Sequence, residues 1–207
     1  MVPVFYHADE ETVRNVLISC YRAGLRVFEF TNRGDYAHEV FTELTKYARK
    51  HLPDLKMGVG SVIDPGTTAL YLQLGADFVV SPLLNDEMAK ICNRRKVMWL
   101  PGCGTASEIS KAEELGAEIV KIFPGAQVGG PALVKAVRGP CPWTSMMPTD
   151  GVSPDEENLK AWFDAGVTCV GMGSKLIPKE WVETGDFDKI ERRINETFTL
   201  VQMLKKP

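Results

Sequence analysis

Short apolar runs alternate along this chain with longer segments in which apolar and polar positions are mixed. Such runs are typical of strands buried on both faces of a parallel sheet, and the mixed segments are typical of amphipathic helices. The predicted strands are 2–5, 26–31, 56–62, 78–82, 97–101, 119–124, 145–149 and 169–173. The predicted helices begin near Asp9, Asp35, Pro65, Asn85, Thr105, Gly130 and Asp155, and a last helix covers 188–204.

Turn and capping residues support this order of elements. Gly24, Gly75, Gly116 and Gly166 each follow Ala or Leu just before a predicted strand, where glycine commonly ends a helix. The segment from Thr105 to Glu108 has the pattern of a capping box, which begins a helix.

Eight strands that alternate with helices predict an α/β fold with a parallel sheet. The same count fits a closed (β/α)8 TIM barrel or an open doubly wound sheet. Polar residues cluster at the carboxyl ends of nearly every predicted strand, which favours the barrel. Because no linker, low-complexity run or break in composition interrupts the pattern, we expect residues 1–207 to form one domain.

Composition excludes several classes of protein. The chain has 207 residues and a formal net charge of -3, and its basic runs are too short for a nucleic-acid footprint. No apolar stretch reaches the roughly 18 residues of a membrane span, and no leader is visible, so we expect a cytoplasmic protein. The 5 cysteines are widely spaced and predict neither disulfides nor zinc. The histidines show no metal-ligand spacing, and only His7, after a strand, is placed to line a site.

Lys121 is the residue that most strongly indicates chemistry. It lies in an apolar strand closed by Pro124, and strand alternation places it on one face with Ile119 and Phe123. A buried ammonium group is costly, so such a lysine tends to lose its proton and become a nucleophile. The alternatives are a lysine that reaches solvent from a strand end or one held in an ion pair.

The predicted strand 26–31 supplies a second set of polar side chains. Alternation places Glu29, Thr31 and, if the strand extends, Arg33 on one face, opposite two phenylalanines that suit packing against helices. Three polar side chains inside a barrel indicate either a functional site or a Glu29–Arg33 ion pair without chemistry.

Glycines after the last two strands predict the remaining part of a site. Gly151 follows the seventh strand, and Gly173 and Ser174 end the eighth. In barrels these loops often bind phosphate through backbone N–H groups. A strand lysine, an acid, an arginine and a phosphate cradle together suit Schiff-base chemistry on a phosphorylated keto acid.

The chain resembles the family of 2-keto-3-deoxy-6-phosphogluconate (KDPG) and 4-hydroxy-2-oxoglutarate (KHG) aldolases, from about Val2 to the last helix. The matching segments are 3–4, 29–33, 58–62, 81–82, 100–102, 120–124, 148–152 and 171–174. The resemblance implies a TIM barrel, usually a homotrimer, and a class I pyruvate aldolase that requires no metal or other cofactor.

The resemblance also implies a role for each site residue. Lys121 matches the lysine that forms the Schiff base, and Glu29 matches the acid and base. The positions matched to substrate binding are Arg33 and Thr31 near the carboxylate, Ser61, Pro82 and Phe123 around pyruvate, and Thr149, Gly151, Gly173 and Ser174 at the distal and phosphate end. The implied reaction cleaves KDPG to pyruvate and glyceraldehyde 3-phosphate, with 4-hydroxy-2-oxoglutarate as a second substrate. An aldolase for the epimeric 2-keto-3-deoxy-6-phosphogalactonate, or for another 2-keto-3-deoxy sugar acid, is the alternative.

Two features depart from the family pattern. Asp150 stands where the family usually has glycine, in a Thr-Gly-Gly segment. Its carboxylate repels a phosphate unless it points away; the alternatives are that it favours a different distal group or that it faces solvent. Relatives usually carry an extra helix before the first strand that covers the bottom of the barrel. Either the sequence given is shortened there, or a neighbouring subunit closes the bottom, or the bottom is more open.

Two other classes of protein remain as alternatives to an enzyme. A non-catalytic phosphate-binding barrel would have no need to keep Lys121, Glu29 and Arg33 together. A scaffold or assembly subunit would expose an apolar patch on an outer helix, whereas the outer helices here are ordinarily charged.

Overall fold

A computed structural model describes residues 1–205 of the chain as an α/β protein. The strands are β1 Val2–Phe5, β2 Val27–Thr31, β3 Lys56–Gly60, β4 Phe78–Val80, β5 Met98–Leu100, β6 Gly102–Cys103, β7 Val120–Ile122, β8 Met146–Pro148 and β9 Gly171–Met172. The helices are α1 Glu10–Arg22, α2 Ala37–His51, α3 Pro65–Gln73, α4 Asp86–Arg95, α5 Ala106–Glu114, α6 Gly130–Arg138, α7 Glu156–Asp164, α8 Lys179–Glu183 and α9 Phe187–Leu204.

All strand pairs in the described residues are parallel, as the alternation of strands and helices predicted. Six strands form one sheet in the order β5-β4-β3-β2-β1-β9, and three form a second in the order β6-β7-β8. Only Pro101 separates β5 from β6, and a parallel bridge joins Thr149, just after β8, to Gly171 in β9. The two sheets are therefore adjacent at both of their edges.

The predicted strands and helices are confirmed, and most of the strands are shorter than predicted, whereas β1 has its predicted bounds. The predicted strand 97–101 was wrong in its end, because the chain continues beyond Pro101 as a second short strand. Proline has no N–H to donate, so the ladder is interrupted there. The predicted capping box is confirmed: the hydroxyl of Thr105 accepts from the N–H of Glu108, whose carboxylate accepts from the N–H of Gly104.

The four glycines predicted to end helices all have positive φ, at +94°, +95°, +89° and +97°. This backbone conformation is cheap for glycine alone and reverses the chain towards the next strand. The helix α8 was not predicted, because a single helical turn is too short to show a periodic pattern.

Two apolar clusters lie on opposite sides of the strands. The larger fills the space between strands and helices and contains Phe28 and Phe30, as predicted from strand alternation. The smaller consists of Phe78, Val80, Leu100 and Met147, with Val2, Ile119 and Cys169 packed against it. Ile119 packs against this smaller, inner cluster, and Lys121 is two residues further along the chain. Because side chains two residues apart on a strand share a face, Lys121 also faces the inner side of the strands.

Among the helices of residues 1–205, none combines the length and apolar character needed to cross a membrane.

Candidate active site

Lys121 lies in the middle of β7 with only 5% of its surface exposed. Gly102 and Met147 are its partners on the neighbouring strands, and the ring centroid of Phe123 is 4.8 Å from its Nζ atom. Within residues 1–205 its ammonium group makes no ion pair. Neither alternative from the sequence, a solvent-reaching lysine or an ion-paired one, describes this side chain.

Burial is the main influence on the Lys121 amine, and it lowers the pKa of that group below its ordinary value. The negative charge of Glu29 opposes this effect, and the positive charge of Arg33 adds to it. A lowered pKa increases the fraction of neutral amine near neutral pH, which is the form that attacks a carbonyl carbon.

Glu29 is 1% exposed and lies on β2. Its Oε2 atom has no hydrogen-bond partner within the described residues, and it forms no ion pair there with Arg33. Burial raises the pKa of this carboxyl, while the charges of Lys121 and Arg33 act in the opposite direction. A carboxyl with a raised pKa is suited to gain and lose a proton in a reaction cycle.

The carboxylate of Glu29 packs directly against the backbone of Gly60 on β3. A methyl group added to Gly60 would lie 1.9 Å from Glu29 Oε1, so only glycine leaves room for the carboxylate. The Gly58–Ser61 segment therefore contributes space as well as strand pairing.

Arg33 lies beyond the end of β2, exposed, and its Nε donates to the hydroxyl of Ser61 at 3.4 Å. Ser61 has a φ of 59°, an uncommon conformation for a residue with a side chain. The segment is held by Asn32, whose side-chain oxygen accepts from the Tyr71 hydroxyl at 2.8 Å and whose N–H donates to Gly60 O. The sequence did not indicate Tyr71, because it is a helix residue 39 positions further along the chain.

A cavity of about 920 Å³ opens at the carboxyl ends of β1, β2, β7, β8 and β9. Seven of the predicted site residues line it: Thr31, Arg33, Phe123, Thr149, Gly151, Gly173 and Ser174. His7 also lines it, as expected. Its volume is within the usual range for small-molecule sites.

The other four predicted residues, Lys121, Glu29, Ser61 and Pro82, do not line this cavity. Each is nevertheless linked to it or to Lys121. Phe123 lines the cavity and its ring contacts the Lys121 amine, and Arg33 lines the cavity and donates to Ser61. The backbone of Pro82 packs against Gly102, the strand neighbour of Lys121.

Thr149 and Gly151 form one wall of the cavity. The Oγ1 atom of Thr149 is buried without a partner in the described residues, and a methyl group on Gly171 would lie 2.7 Å from it. Gly151 has a φ of +73°, and a side chain there would meet Ala126 at 2.6 Å. Both glycines therefore keep the wall open where a larger residue would fill it.

The cavity lining also contains residues that the sequence did not indicate. Tyr6, Gln127, Lys175 and Lys179 line the cavity, and Lys179 belongs to α8. No local pattern distinguishes these side chains from surface residues, so only the packing of the loops identifies them. In residues 1–205, no group of three or more His, Cys, Asp or Glu side chains is placed to hold a metal ion.

Comparison with known proteins gives consistent results. The family model described as "Aldolase: KDPG and KHG aldolase" matches residues 1–193. A relative from Pseudomonas aeruginosa, named 2-dehydro-3-deoxy-phosphogluconate aldolase, is 37% identical over 95% of this chain and 86% of its own length. A relative from Escherichia coli, named KHG/KDPG aldolase, is 32% identical over 95% of this chain and 89% of its own length.

The fold of this chain is also similar to that of a solved structure. The KDPG aldolase of Legionella pneumophila, with pyruvate captured as a covalent carbinolamine intermediate, superposes with a TM-score of 0.86 at 26% identity. The match covers 95% of this chain and 92% of that one.

Proposed function

The chain belongs to the family of KDPG and KHG aldolases, and on this premise we propose that it cleaves KDPG to pyruvate and glyceraldehyde 3-phosphate through a Schiff base on Lys121. The observation that carries the proposal is the buried Lys121 amine, which lies beside the cavity wall without an ion-pair partner in the described residues. The carbinolamine captured in the Legionella pneumophila relative supports covalent chemistry with pyruvate.

The proposed reaction begins when neutral Lys121 adds to the C2 keto carbon and water leaves, which gives a protonated imine. Glu29 then assists removal of the C4 hydroxyl proton, and the C3–C4 bond breaks. The electron pair of that bond moves into the imine to form an enamine, and the aldehyde departs. Protonation at C3 and addition of water release pyruvate and restore the amine. Because the imine accepts the electrons, the chemistry requires neither a metal nor another cofactor.

The proposed substrate carboxylate binds near Arg33 and Thr31. Arg33 retains its two Nη groups for a bidentate contact while its Nε donates to Ser61. Phe123 and Pro82 shape the space around the pyruvate portion. Thr149 lines the part of the cavity proposed for the distal portion of the substrate.

We propose the phosphate site at Gly151, Gly173 and Ser174. Two glycine-containing loops follow β8 and β9, and the bridge from Thr149 to Gly171 brings them side by side. Backbone N–H groups in such loops bind phosphate oxygens without steric hindrance from side chains.

A second substrate is 4-hydroxy-2-oxoglutarate, cleaved to pyruvate and glyoxylate. The name of the Escherichia coli relative supports this addition. The two substrates share the keto acid that reacts with Lys121 and differ only in the part that departs.

We propose that the two sheets close into a single (β/α)8 barrel that covers residues 1–207 as one domain. The continuity of the chain across Pro101 and the Thr149–Gly171 bridge support closure at the two junctions. Slow hydrogen exchange of amides on both sides of each junction would support a closed barrel, and fast exchange at either would contradict it.

The expected assembly is a homotrimer in the cytoplasm. Tyr36, Ile63 and Leu83 support self-association, since they follow three neighbouring strands and are 69%, 57% and 39% exposed. The charged substrates proposed here are retained inside cells, which supports a cytoplasmic location. A mass from light scattering that equals one chain would contradict the trimer.

The experiment that tests the function is borohydride reduction in the presence of pyruvate, followed by intact mass and peptide mapping. We expect a pyruvate-derived adduct on Lys121, because borohydride reduces the imine to a stable amine. Folded protein that forms no adduct would contradict the proposed function.

Replacement of Gly60 by alanine is expected to lower kcat by about tenfold to hundredfold, because the added methyl displaces the Glu29 carboxylate. Gly58→Ala is the matched control on the same strand, since its methyl would meet the ring of Phe78 at 2.1 Å. The control should lose stability, by about 1–3 kcal/mol, more than it loses activity per folded molecule. Equal kcat in the Gly60→Ala variant and the wild type would exclude the proposed role of this contact.

A further inference from the structure

Asp150 is the one charged residue in the loop that follows β8 before Ser153, and it lines the cavity. Its φ is 75°, in the left-handed region that favours glycine, although aspartate is among the side chains that tolerate it best. A glycine would adopt this backbone conformation without strain, yet the residue at position 150 is an aspartate. Strain at a cavity wall is a reason to look for a function of the side chain.

Asp150 and the turn after β9 line the same cavity. The parallel bridge joins Thr149, the residue before Asp150, to Gly171 in β9. In that turn, the N–H groups of Ser174 and Lys175 donate to no acceptor within residues 1–205. They are therefore available to an anionic or hydroxyl-bearing ligand.

Besides Arg33, the charged residues that line the cavity are two lysines and two acids. Lys179 and Glu183 pair with each other at 3.2 Å. The other two charged residues are Lys175, which is positive, and Asp150, which is negative. Asp150 makes no ion pair in the described residues. A distal phosphate would thus meet backbone N–H groups and one lysine, but also a carboxylate of the same sign.

We propose that Asp150 is a specificity-determining residue, which weakens the binding of a doubly charged distal phosphate and favours 2-keto-3-deoxy acids with hydroxyl groups at that end. A carboxylate accepts hydrogen bonds from hydroxyl groups, whereas a phosphate dianion has only acceptors to offer and repels it. The inference rests on the proposed function, because it assumes that the distal part of the substrate occupies this wall.

The experiment compares the wild type with Asp150→Asn, which removes the charge, keeps the shape and tolerates the same φ. Glu156→Gln is the matched control, since it removes one exposed charge from α7 without lining the cavity. The first readout is the Kd of glycerol 3-phosphate by calorimetry, which requires no aldol chemistry. The second is the ratio of kcat/KM for KDPG to kcat/KM for its unphosphorylated analogue, 2-keto-3-deoxygluconate.

In the Asp150→Asn variant we expect glycerol 3-phosphate to bind about fivefold more tightly and the kcat/KM ratio to rise by a similar factor. The gain should shrink as ionic strength approaches about 1 M, where the Debye length is about 3 Å. The control should keep the wild-type Kd and ratio. A merely structural role of Asp150 would change both substrates alike and would show no dependence on salt.

An unchanged Kd and ratio in Asp150→Asn would overturn the inference, and so would an equal gain for both substrates. Undetectable binding of glycerol 3-phosphate by both proteins would also overturn it. These results are independent of the pyruvate trapping experiment. Protein that traps pyruvate but does not respond at Asp150 contradicts this inference alone, whereas protein that traps no pyruvate contradicts the proposed function.

Discussion

A Lys121→Ala variant is expected to fold as the wild type does and to lose aldol cleavage by about 10⁴-fold or more. The reason is that the reaction proceeds through a covalent bond to this amine, and no other group can replace it. Burial already lowers the pKa of Lys121 towards the neutral form, so the nucleophile itself is lost rather than an auxiliary contact. The measurement is the rate of pyruvate release from KDPG at saturating substrate.

Two further variants test whether the loss of activity is specific to the Lys121 amine. Lys121→Met fills most of the same space, and we expect it to be inactive and at least as stable as the wild type, because it replaces a buried polar amine with an apolar side chain. Lys135→Ala changes an exposed lysine on α6 and should retain both activity and the pyruvate adduct. Cleavage by Lys121→Met within about tenfold of the wild-type rate would exclude Lys121 as the Schiff-base residue.

A Glu29→Gln variant is expected to lose about 10²-fold to 10⁴-fold in kcat, which is the usual contribution of a general acid or base. Glutamine fills the same space but cannot carry the proton between the C4 hydroxyl and the enamine carbon. Because Lys121 is retained, borohydride should still trap pyruvate on it. Retained kcat in this variant would assign the proton transfer to another group, and loss of trapping would indicate a structural role instead.

The same variant tests the environment of the carboxyl through stability. Burial raises the folded-state pKa of Glu29 above its ordinary value of 4.5. The contribution of this group to the free energy of unfolding is then fully present below the unfolded pKa and is lost as pH rises through the folded pKa. We expect the Tm of the wild type to fall relative to that of Glu29→Gln across this window. A Tm difference that is constant with pH would contradict the raised pKa.

Much of the fold and of the candidate site was determined by the sequence alone. Strand alternation placed Lys121 on the inner face with Ile119, because successive side chains point to opposite sides of any strand. Glycines such as Gly24 and Gly166 marked helix ends, because positive φ is cheap for glycine alone. These rules depend on neighbours in the chain, so they apply before the tertiary structure is known.

The arrangement of the site depended on the tertiary structure. Glu29 and Lys121 are far apart in the sequence, and only the packing of their strands brings their charges within mutual influence. The support of the Arg33 segment by Tyr71, through Asn32, and the place of Asp150 on the cavity wall were likewise decided there. The physical reason is that strand order, register and loop packing set these distances, and local periodicity contains no information about contacts between distant segments.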